Sequence, residues 1–189
     1  MSKINDEIEN PIDIKTYEIV KKHLPFYYEL GLTPNHITTL SLITGILSGK
    51  MLYDGNKLLS IILLCFSYYF DCADGALARK YKMFSEFGDY YDHVADFVKF
   101  GFILYYMYTK NANRFVDFLP YMLLLILLIS IQMGCQERYM EDKKIDKENE
   151  SNSLSTLKFL CPNKEYIKYT KYFGVGSFIL SFCIILYLF

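Results

Sequence analysis

Long apolar runs separated by short polar segments dominate this chain. The runs are His36–Tyr53, Leu58–Phe70, Phe97–Thr109, Phe115–Cys135 and Tyr172–Phe189. A helix needs roughly 20 mostly apolar residues to cross a bilayer. The first, fourth and fifth runs approach that length unaided, and the second and third reach it only if neighbouring acidic residues lie within the helices. The pattern predicts an all-α integral membrane protein with five transmembrane helices.

Residues 17–30 have a different pattern, in which apolar residues recur at helical spacing with two lysines between them. This pattern is typical of an amphipathic helix lying in the headgroup layer. Gly31 can end this helix, and Thr33-Pro34 can begin the next one. We therefore expect an N-terminal interfacial helix before the first transmembrane helix.

The length of 189 residues, of which 52% are hydrophobic, fits one domain. We expect a polar tail over residues 1–16, which does not resemble a signal peptide, and a single membrane domain over residues 17–189. Residues 141–155 carry many charges without an apolar period, which predicts a mobile polar loop. The five cysteines lack metal-ligand spacing, and we interpret them as small buried apolar residues.

The basic residues favour one face of the membrane. If the turn after Arg79 is cytoplasmic, most of the 20 Lys and Arg residues lie on the cytoplasmic side, as the positive-inside rule requires. The prediction is a multi-pass protein whose acidic site faces the cytoplasm, in the endoplasmic reticulum if the host is eukaryotic. No nucleic-acid motif is present, so we expect no nucleic-acid partner.

Four aspartates interrupt the apolar sequence: Asp71, Asp74, Asp92 and Asp96. One carboxylate at the centre of a transmembrane helix costs roughly 2.5–3.5 kcal/mol. Four of them facing lipid would cost on the order of 10 kcal/mol. Something cationic must hold such a cluster, and divalent metal ions are the natural candidates, because oxygen-only ligands favour Mg²⁺ or Mn²⁺.

Small residues accompany these acids at helical spacing. Gly75 and Ala78 continue the stripe that begins at Asp71, which leaves room for a bulky ligand, and Arg79 beside them could hold phosphate. Gly88 begins a second acidic stripe on the following helix. The short connection predicts that the two helices are antiparallel neighbours, with a polar cavity between the stripes. Two metal ions there could clamp a pyrophosphate.

Eight residues fit the pattern Asp-x2-Asp-Gly-x2-Ala-Arg-x8-Gly-x3-Asp-x3-Asp. They are Asp71, Asp74, Gly75, Ala78, Arg79, Gly88, Asp92 and Asp96. This motif, residues 71–96, resembles the signature of the CDP-alcohol phosphotransferase (CDP-alcohol phosphatidyltransferase) family, integral membrane enzymes of phospholipid synthesis. The residues Leu32-Thr-Pro-Asn35 before the first transmembrane helix also resemble family members.

The resemblance implies a metal-dependent transfer from a CDP-linked donor to an acceptor hydroxyl, with release of CMP. The four aspartates would hold two Mg²⁺ or Mn²⁺ ions, and Asp96, with Asp92 beside it, would deprotonate the acceptor. The CDP moiety would contact Asp74, Gly75, Ala78, Arg79 and Gly88. Asn35 either contacts the nucleotide or caps a helix. A homodimer in the lipid bilayer is a further family expectation.

Two substrate pairs remain open. CDP-choline or CDP-ethanolamine could react with diacylglycerol, or CDP-diacylglycerol could react with inositol, inositol phosphate, glycerol phosphate or serine. His93 favours the first pair and the short chain favours the second. A basic pocket built from residues 138–171 would favour a phosphorylated acceptor. The rival interpretations are a cation or metal transporter using the same acids, and a catalytically reduced family member.

Three structural alternatives also stay open. Family members usually have six membrane helices, so Ser153–Tyr169 either forms a short buried or re-entrant sixth helix, or the C-terminal half is reduced. Lys99 either balances the acidic cavity or extends to the interface. Asp89 is either a solvated acid or a fifth ligand.

Overall fold

The computed structural model describes residues 7–142 and 155–189, and all regular structure in these residues is helical. The long helices are α1 (Pro11–Glu29), α2 (Pro34–Tyr53), α3 (Lys57–Tyr81), α4 (Glu86–Lys110) and α5 (Ala112–Asp142). After them come 3-10 helices at Ser155–Leu160 and Lys164–Tyr166, α6 (Ile167–Thr170), a 3-10 turn at Lys171–Phe173, and α7 (Val175–Leu188). The all-α prediction is confirmed for these residues.

The first helix starts earlier than the sequence pattern indicated. Asn10 caps α1 by accepting hydrogen bonds from the backbone amides of Ile12 and Asp13, so residues 11–16 of the expected tail are helical. Asn10 itself is buried. Its amide nitrogen donates hydrogen bonds to the carbonyl of Lys171 and to the hydroxyl of Ser177, both at 2.8 Å. The beginning of α1 is therefore attached to the beginning of α7.

Three helical stretches in the described residues are long and apolar enough to cross a membrane: Lys57–Tyr81, Ala112–Met140 and Lys164–Leu188. On α5 the side chains of Leu123, Leu124, Ile126 and Leu127 are each about half exposed. Soluble monomers rarely expose such continuous apolar surface. These features are those of a multi-pass membrane protein.

Small residues on α2 bring the helices of the acidic motif together. α2 packs along both α3 and α4. The Ser41 hydroxyl donates to the Ser67 carbonyl of α3 at 3.0 Å. On the α4 side, a Cβ atom added at Gly49 would lie 3.0 Å from the Ile103 Cα atom. This close approach on two sides makes α2 the element that aligns the acidic parts of α3 and α4.

A disulfide between Cys135 and Cys161 joins α5 to the segment that follows it. The interpretation of all five cysteines as buried apolar residues is therefore wrong for this pair. It is also wrong for Cys65, which is an exposed free thiol, whereas Cys72 and Cys183 are buried free thiols as expected. In the described part of Ser153–Tyr169, the chain forms short 3-10 helices and the start of α6 against α5, not one continuous short helix. Most of the expected mobile loop, residues 143–154, lies outside the described residues.

Candidate active site

Three carboxylates from two helices meet beside α2. One oxygen each from Asp71 on α3 and from Asp92 and Asp96 on α4 lie within 4.8 Å of one another. The Oδ1 atom of Asp92 is buried and has no hydrogen-bond partner in the described part of the chain. An all-oxygen donor set with an unsatisfied carboxylate oxygen suits a hard divalent cation such as Mg²⁺ or Mn²⁺.

Asp74 lies next to this group and is held by α2. Its side chain is 5% exposed. The Oδ2 atom accepts a hydrogen bond from the Thr38 hydroxyl at 2.7 Å, and Oδ1 accepts one from the backbone amide of Gly75 at 2.5 Å. Asp74 is not part of the three-carboxylate group, so its predicted role as a metal ligand stays a prediction.

Lys99 is a buried cation inside the acidic cluster. Its ammonium lies 2.7 Å from Asp71 Oδ1 and 2.6 Å from Asp96 Oδ1, and it donates to the Ser41 hydroxyl at 3.0 Å. The aliphatic part of the side chain passes Gly45, where an added Cβ would lie 2.9 Å from the Lys99 Cβ. Lys99 therefore balances the acidic site and does not extend to the interface.

The residues predicted to bind the CDP moiety line the same ends of α3 and α4. A Cβ added at Gly75 would lie 3.2 Å from a guanidinium nitrogen of Arg79, and the guanidinium carbon lies 5.9 Å from the centre of the Tyr17 ring. At the start of α4, a Cβ added at Gly88 would lie 3.0 Å from Asn35 Oδ1. The structure thus places Asn35 beside a predicted donor-binding residue.

Ala78, Asp89 and His93 are half-buried at these helix ends. Asp89 lies outside the three-carboxylate group found in the described residues. Its role as a fifth ligand and the role of His93 remain predictions.

A cavity of about 180 Å³ opens beside the carboxylates, between α1, α3, α5 and the start of α7. Its lining includes Asp71 and Arg79 of the motif, together with Asp13, Gln132 and Glu137. The sequence analysis did not identify the last three, because their proximity depends on how α1 and α5 pack. The only signal was an uncharged polar residue, Gln132, near the end of an apolar run.

Asp13 is held rigidly at the edge of this cavity. It is 6% exposed, its carboxylate accepts a hydrogen bond from the Tyr68 hydroxyl, and an added Cβ at Gly176 would lie 2.8 Å from its Oδ1 atom. Burial raises the pKa of Asp13, and the hydrogen bond from Tyr68 opposes that rise. The carboxyl group joins α1 to α3 and α7 at this position.

The basic residues expected to form an acceptor pocket contact the backbone. The Arg138 guanidinium donates to the carbonyls of Pro162 and Lys158 at 3.0 and 3.2 Å. The Lys171 ammonium donates to the Glu7 carbonyl at 2.9 Å. Neither side chain is among the described residues that line the cavity. Lys143, Lys144 and Lys147 of the same region lie outside the described residues, so a basic acceptor pocket stays an untested alternative.

Comparisons with known proteins give two curated relatives. An archaetidylinositol phosphate synthase of Pyrococcus horikoshii is 31% identical over 105 residues, which cover 56% of this chain and 52% of the relative. An uncharacterised protein of Aquifex aeolicus is 33% identical over 79 residues, covering 42% of this chain and 40% of the relative. The matched region thus spans about half the length of these relatives or less. No solved structure gives a significant match.

The family comparison covers most of the chain. The model of the CDP-alcohol phosphatidyltransferase family matches residues 31–188. This range includes α2 to α7, all four aspartates of the motif, Lys99 and the α5 wall of the cavity. The arrangement of the acids on α3 and α4 agrees with the motif that resembled this family. The chain belongs to the CDP-alcohol phosphatidyltransferase family.

Proposed function

We propose that this protein is a phospholipid-synthesis enzyme that transfers a phosphatidyl group from a CDP-linked lipid to a polar alcohol and releases CMP. The observation that carries the proposal is the meeting of Asp71, Asp92 and Asp96 in one cluster, in a chain of this family. The relative's name, archaetidylinositol phosphate synthase, favours a polar-alcohol acceptor over diacylglycerol.

The proposed metal site uses Mg²⁺ or Mn²⁺. Asp71, Asp92 and Asp96 present converging oxygens. Asp74 joins them as the family pattern implies, since each of its oxygens keeps a lone pair after accepting one hydrogen bond. Two bound ions would neutralise the charge of the donor pyrophosphate and of the departing CMP.

The protein residues bind the donor and move one proton. Arg79 holds the donor phosphates beside the bare surface of Gly75, Ala78 and Gly88. Asp96 accepts the proton of the acceptor hydroxyl. Asp92, one helical turn before Asp96 on α4, supports this proton transfer as a neighbouring carboxylate and metal ligand.

The proposed arrangement in the membrane follows from the helix order. The helices α2, α3, α4, α5 and α7 cross the bilayer. Helix α1, whose Ile19, Phe26 and Tyr28 side chains are exposed, lies in the headgroup layer. The acidic site opens towards the cytoplasm. The membrane domain includes the whole of α1, so residues 11–189 act as a single domain, and two copies form a homodimer.

The test is CMP release from purified protein in liposomes. CDP-diacylglycerol is supplied with inositol, glycerol phosphate or serine, and CDP-choline and CDP-ethanolamine are supplied with diacylglycerol, each with and without Mn²⁺. We expect metal-dependent release with CDP-diacylglycerol that is lost in Asp96→Asn. The matched control Asp117→Asn alters an exposed acid of α5 and should retain activity.

The same liposomes distinguish the rival functions. Absence of CMP release with every donor, together with metal-ion uptake into the liposomes, would replace the enzyme proposal with a transporter. Absence of both, in folded protein that binds Mn²⁺, would indicate a catalytically reduced family member. Release only with CDP-choline or CDP-ethanolamine would assign the other substrate pair.

A further inference from the structure

Lys99 occupies a position between two acids of the motif that a bridging metal ion would otherwise take. Its ammonium lies 2.7 Å from Asp71 Oδ1 on α3 and 2.6 Å from Asp96 Oδ1 on α4. Both acids belong to the three-carboxylate group. A metal ion that joined Asp71 to Asp96 through these oxygens would therefore have to displace the ammonium.

The packing of α2 against α4 holds Lys99 in this position. The side chain is 4% exposed, and its ammonium donates a hydrogen bond to the Ser41 hydroxyl at 3.0 Å. Gly45 leaves room for the aliphatic part of the side chain, because a Cβ added at Gly45 would lie 2.9 Å from Lys99 Cβ and 3.2 Å from Lys99 Cδ. Lys99 is thus fixed by residues of α2 as well as by the acids.

Asp92 offers an oxygen for a metal ion beside Lys99. Its Oδ1 atom is buried and has no hydrogen-bond partner in the part of the chain that the structure describes. The ion pairs of Lys99 described above are with Asp71 and Asp96 instead. One metal ion can therefore bind at Asp92 while the ammonium stays in place.

The charges of the contacting groups match one divalent ion. Three carboxylates and the Lys99 ammonium together carry two negative charges, which one such ion neutralises. Even when Asp74 is counted with them, a second ion would make this set of groups positive. Since Lys99 is 4% exposed, water screens such an excess weakly. The pyrophosphate of a CDP-linked donor, with a negative charge on each phosphate, would remove the excess.

We infer, on the basis of the proposed function, that Lys99 takes the place of one metal ion while no donor is bound. The protein without donor binds one divalent cation. A second cation binds only together with the CDP-linked donor, and it then displaces the Lys99 ammonium from Asp71 and Asp96. Binding of the donor and binding of the second cation are therefore coupled, and each strengthens the other.

Mn²⁺ binding by the unaltered protein tests this order of binding. Protein in liposomes is titrated with Mn²⁺, with and without CDP-diacylglycerol and without acceptor, and free Mn²⁺ is measured by electron paramagnetic resonance. Liposomes with donor but without protein correct for Mn²⁺ bound by lipid. We expect one bound ion per chain without donor and two with donor. Two ions without donor, or a single ion with donor, would overturn the inference.

The spectrum of the bound ions gives a second measurement. Paired ions in two-metal sites lie about 3.5–4 Å apart, so two bound Mn²⁺ ions are magnetically coupled. The unaltered protein should show an uncoupled spectrum that becomes coupled when donor is added. A coupled spectrum before donor is added would contradict the assignment of Lys99.

Lys99→Met should bind two Mn²⁺ ions without donor, because the position between the two carboxylates is then open to a metal ion. Lys110→Met is the matched control on the same helix, since the Lys110 ammonium donates to the backbone carbonyls of Leu52 and Tyr53. The control should bind one ion, as the unaltered protein does. A single bound ion in folded Lys99→Met would refute the inference. If Lys99→Met does not fold, the donor dependence in the unaltered protein decides.

Kinetics measure the same coupling. In the unaltered protein the KM for CDP-diacylglycerol should fall by about tenfold as free Mn²⁺ rises through the range in which the second ion binds. In Lys99→Met, where both ions bind before the donor, this KM should stay nearly constant over that range. Equal Mn²⁺ dependence of the donor KM in the two proteins would contradict the coupling.

Failure of the proposed function would give a different result. If neither the unaltered protein nor Lys110→Met bound Mn²⁺, the metal site itself would be refuted, and the role of Lys99 with it. If the ions bound in the expected numbers but no CMP were released with any donor, the enzyme proposal would fail and the role of Lys99 would stand.

Discussion

Lys99 shows how one residue can make a group of acids compatible with a membrane protein interior. Its ammonium lies within 2.7 Å of two carboxylates and 3.0 Å of the Ser41 hydroxyl. Removing one partner of such a buried group leaves an uncompensated charge. Lys99 therefore acts as a resident cation, which stabilises the acids before metal binds and competes with a metal ion for the oxygens of Asp71 and Asp96.

The variant Lys99→Met tests this competition. Without metal it should lose about 3–5 kcal/mol of stability, because Asp71 and Asp96 lose their buried partner. Its affinity for Mn²⁺ should rise by about tenfold, since the ion no longer displaces an ammonium. Free Mn²⁺ measured by electron paramagnetic resonance gives the affinity, and thermal unfolding with and without Mn²⁺ gives the stability.

Lys110→Met is the matched control for Lys99→Met. Lys110 lies on the same helix, and its ammonium donates to the backbone carbonyls of Leu52 and Tyr53. This change should leave the affinity for Mn²⁺ as in the unaltered protein. If Lys99→Met bound Mn²⁺ no more tightly than Lys110→Met, the description of Lys99 as a competing cation would be wrong.

The sequence predicted which aspartates form the acidic site, but it did not predict which residues of other helices contact them. Helical spacing within 71–96 predicted that all four aspartates of the motif meet. The structure brings Asp71, Asp92 and Asp96 together, and Asp74 lies beside them outside the group. The helical spacing could not show that Thr38 of α2 orients Asp74, or that Asp13 and Gln132 line the cavity. Those contacts join segments far apart in the chain, and no local pattern encodes them.

At the scale of elements, α2 determines how the two acidic helices meet. The sequence predicted α3 and α4 as antiparallel neighbours, but in the described residues they do not pack on each other: each packs against the small residues of α2, which lies between them. Gly45 faces Lys99, and Gly49 faces Ile103 and Tyr106. Small residues allow membrane helices to approach closely, so the spacing of the carboxylates depends on a helix outside the acidic motif.

Gly49→Ala should disturb this packing. The added Cβ would lie 2.9 Å from Tyr106 Cδ2 and 3.0 Å from the Ile103 Cα, and the backbone of α4 cannot yield as a flexible side chain would. We expect a loss of about 1–3 kcal/mol in stability and weaker Mn²⁺ binding, because α4 moves relative to α3. Thermal unfolding and Mn²⁺ titration measure the two effects.

Gly101→Ala supplies the comparison on α4. An added Cβ there meets no atom within 4 Å, and alanine favours a helix over glycine by roughly 0.5–1 kcal/mol. This variant should be neutral or slightly more stable, with unchanged metal affinity. If Gly49→Ala and Gly101→Ala destabilised the protein equally, the close contact between α2 and α4 would not be what positions the carboxylates.

The connection from α5 to α7 was the least predictable element. Cysteine spacing alone does not give connectivity, and the proposed cytoplasmic location of this connection would argue against a disulfide in most organisms. The bond between Cys135 and Cys161 nevertheless joins residues separated by 26 positions. It fastens the short 3-10 turns of this connection to α5, next to Gln136 and Glu137 of the cavity wall.

Basic residues at the end of the molecule remote from the acidic site bond to the carbonyl groups at the ends of helices. At the end remote from the acids, Lys57 donates to the Tyr187 carbonyl, and Arg114 donates to the carbonyls of Leu188 and Phe189. Lys110 does the same at the end of α2. These cations complement the negative ends of helices, so they do not contradict an orientation in which the other basic residues face the cytoplasm.

Cysteine labelling in bacterial spheroplasts tests that orientation. In protein whose three free cysteines are replaced by alanine, Phe84→Cys marks the α3–α4 connection and Asn113→Cys marks the start of α5, both exposed positions. A membrane-impermeant maleimide should label Asn113→Cys in intact spheroplasts, and Phe84→Cys only after permeabilisation, because the proposed orientation places the acidic site and Arg79 on the cytoplasmic side. The alanine-substituted parent, with its disulfide intact, should remain unlabelled. The reverse labelling would place the acidic site on the outer face, where cytoplasmic CDP-linked donors could not reach it.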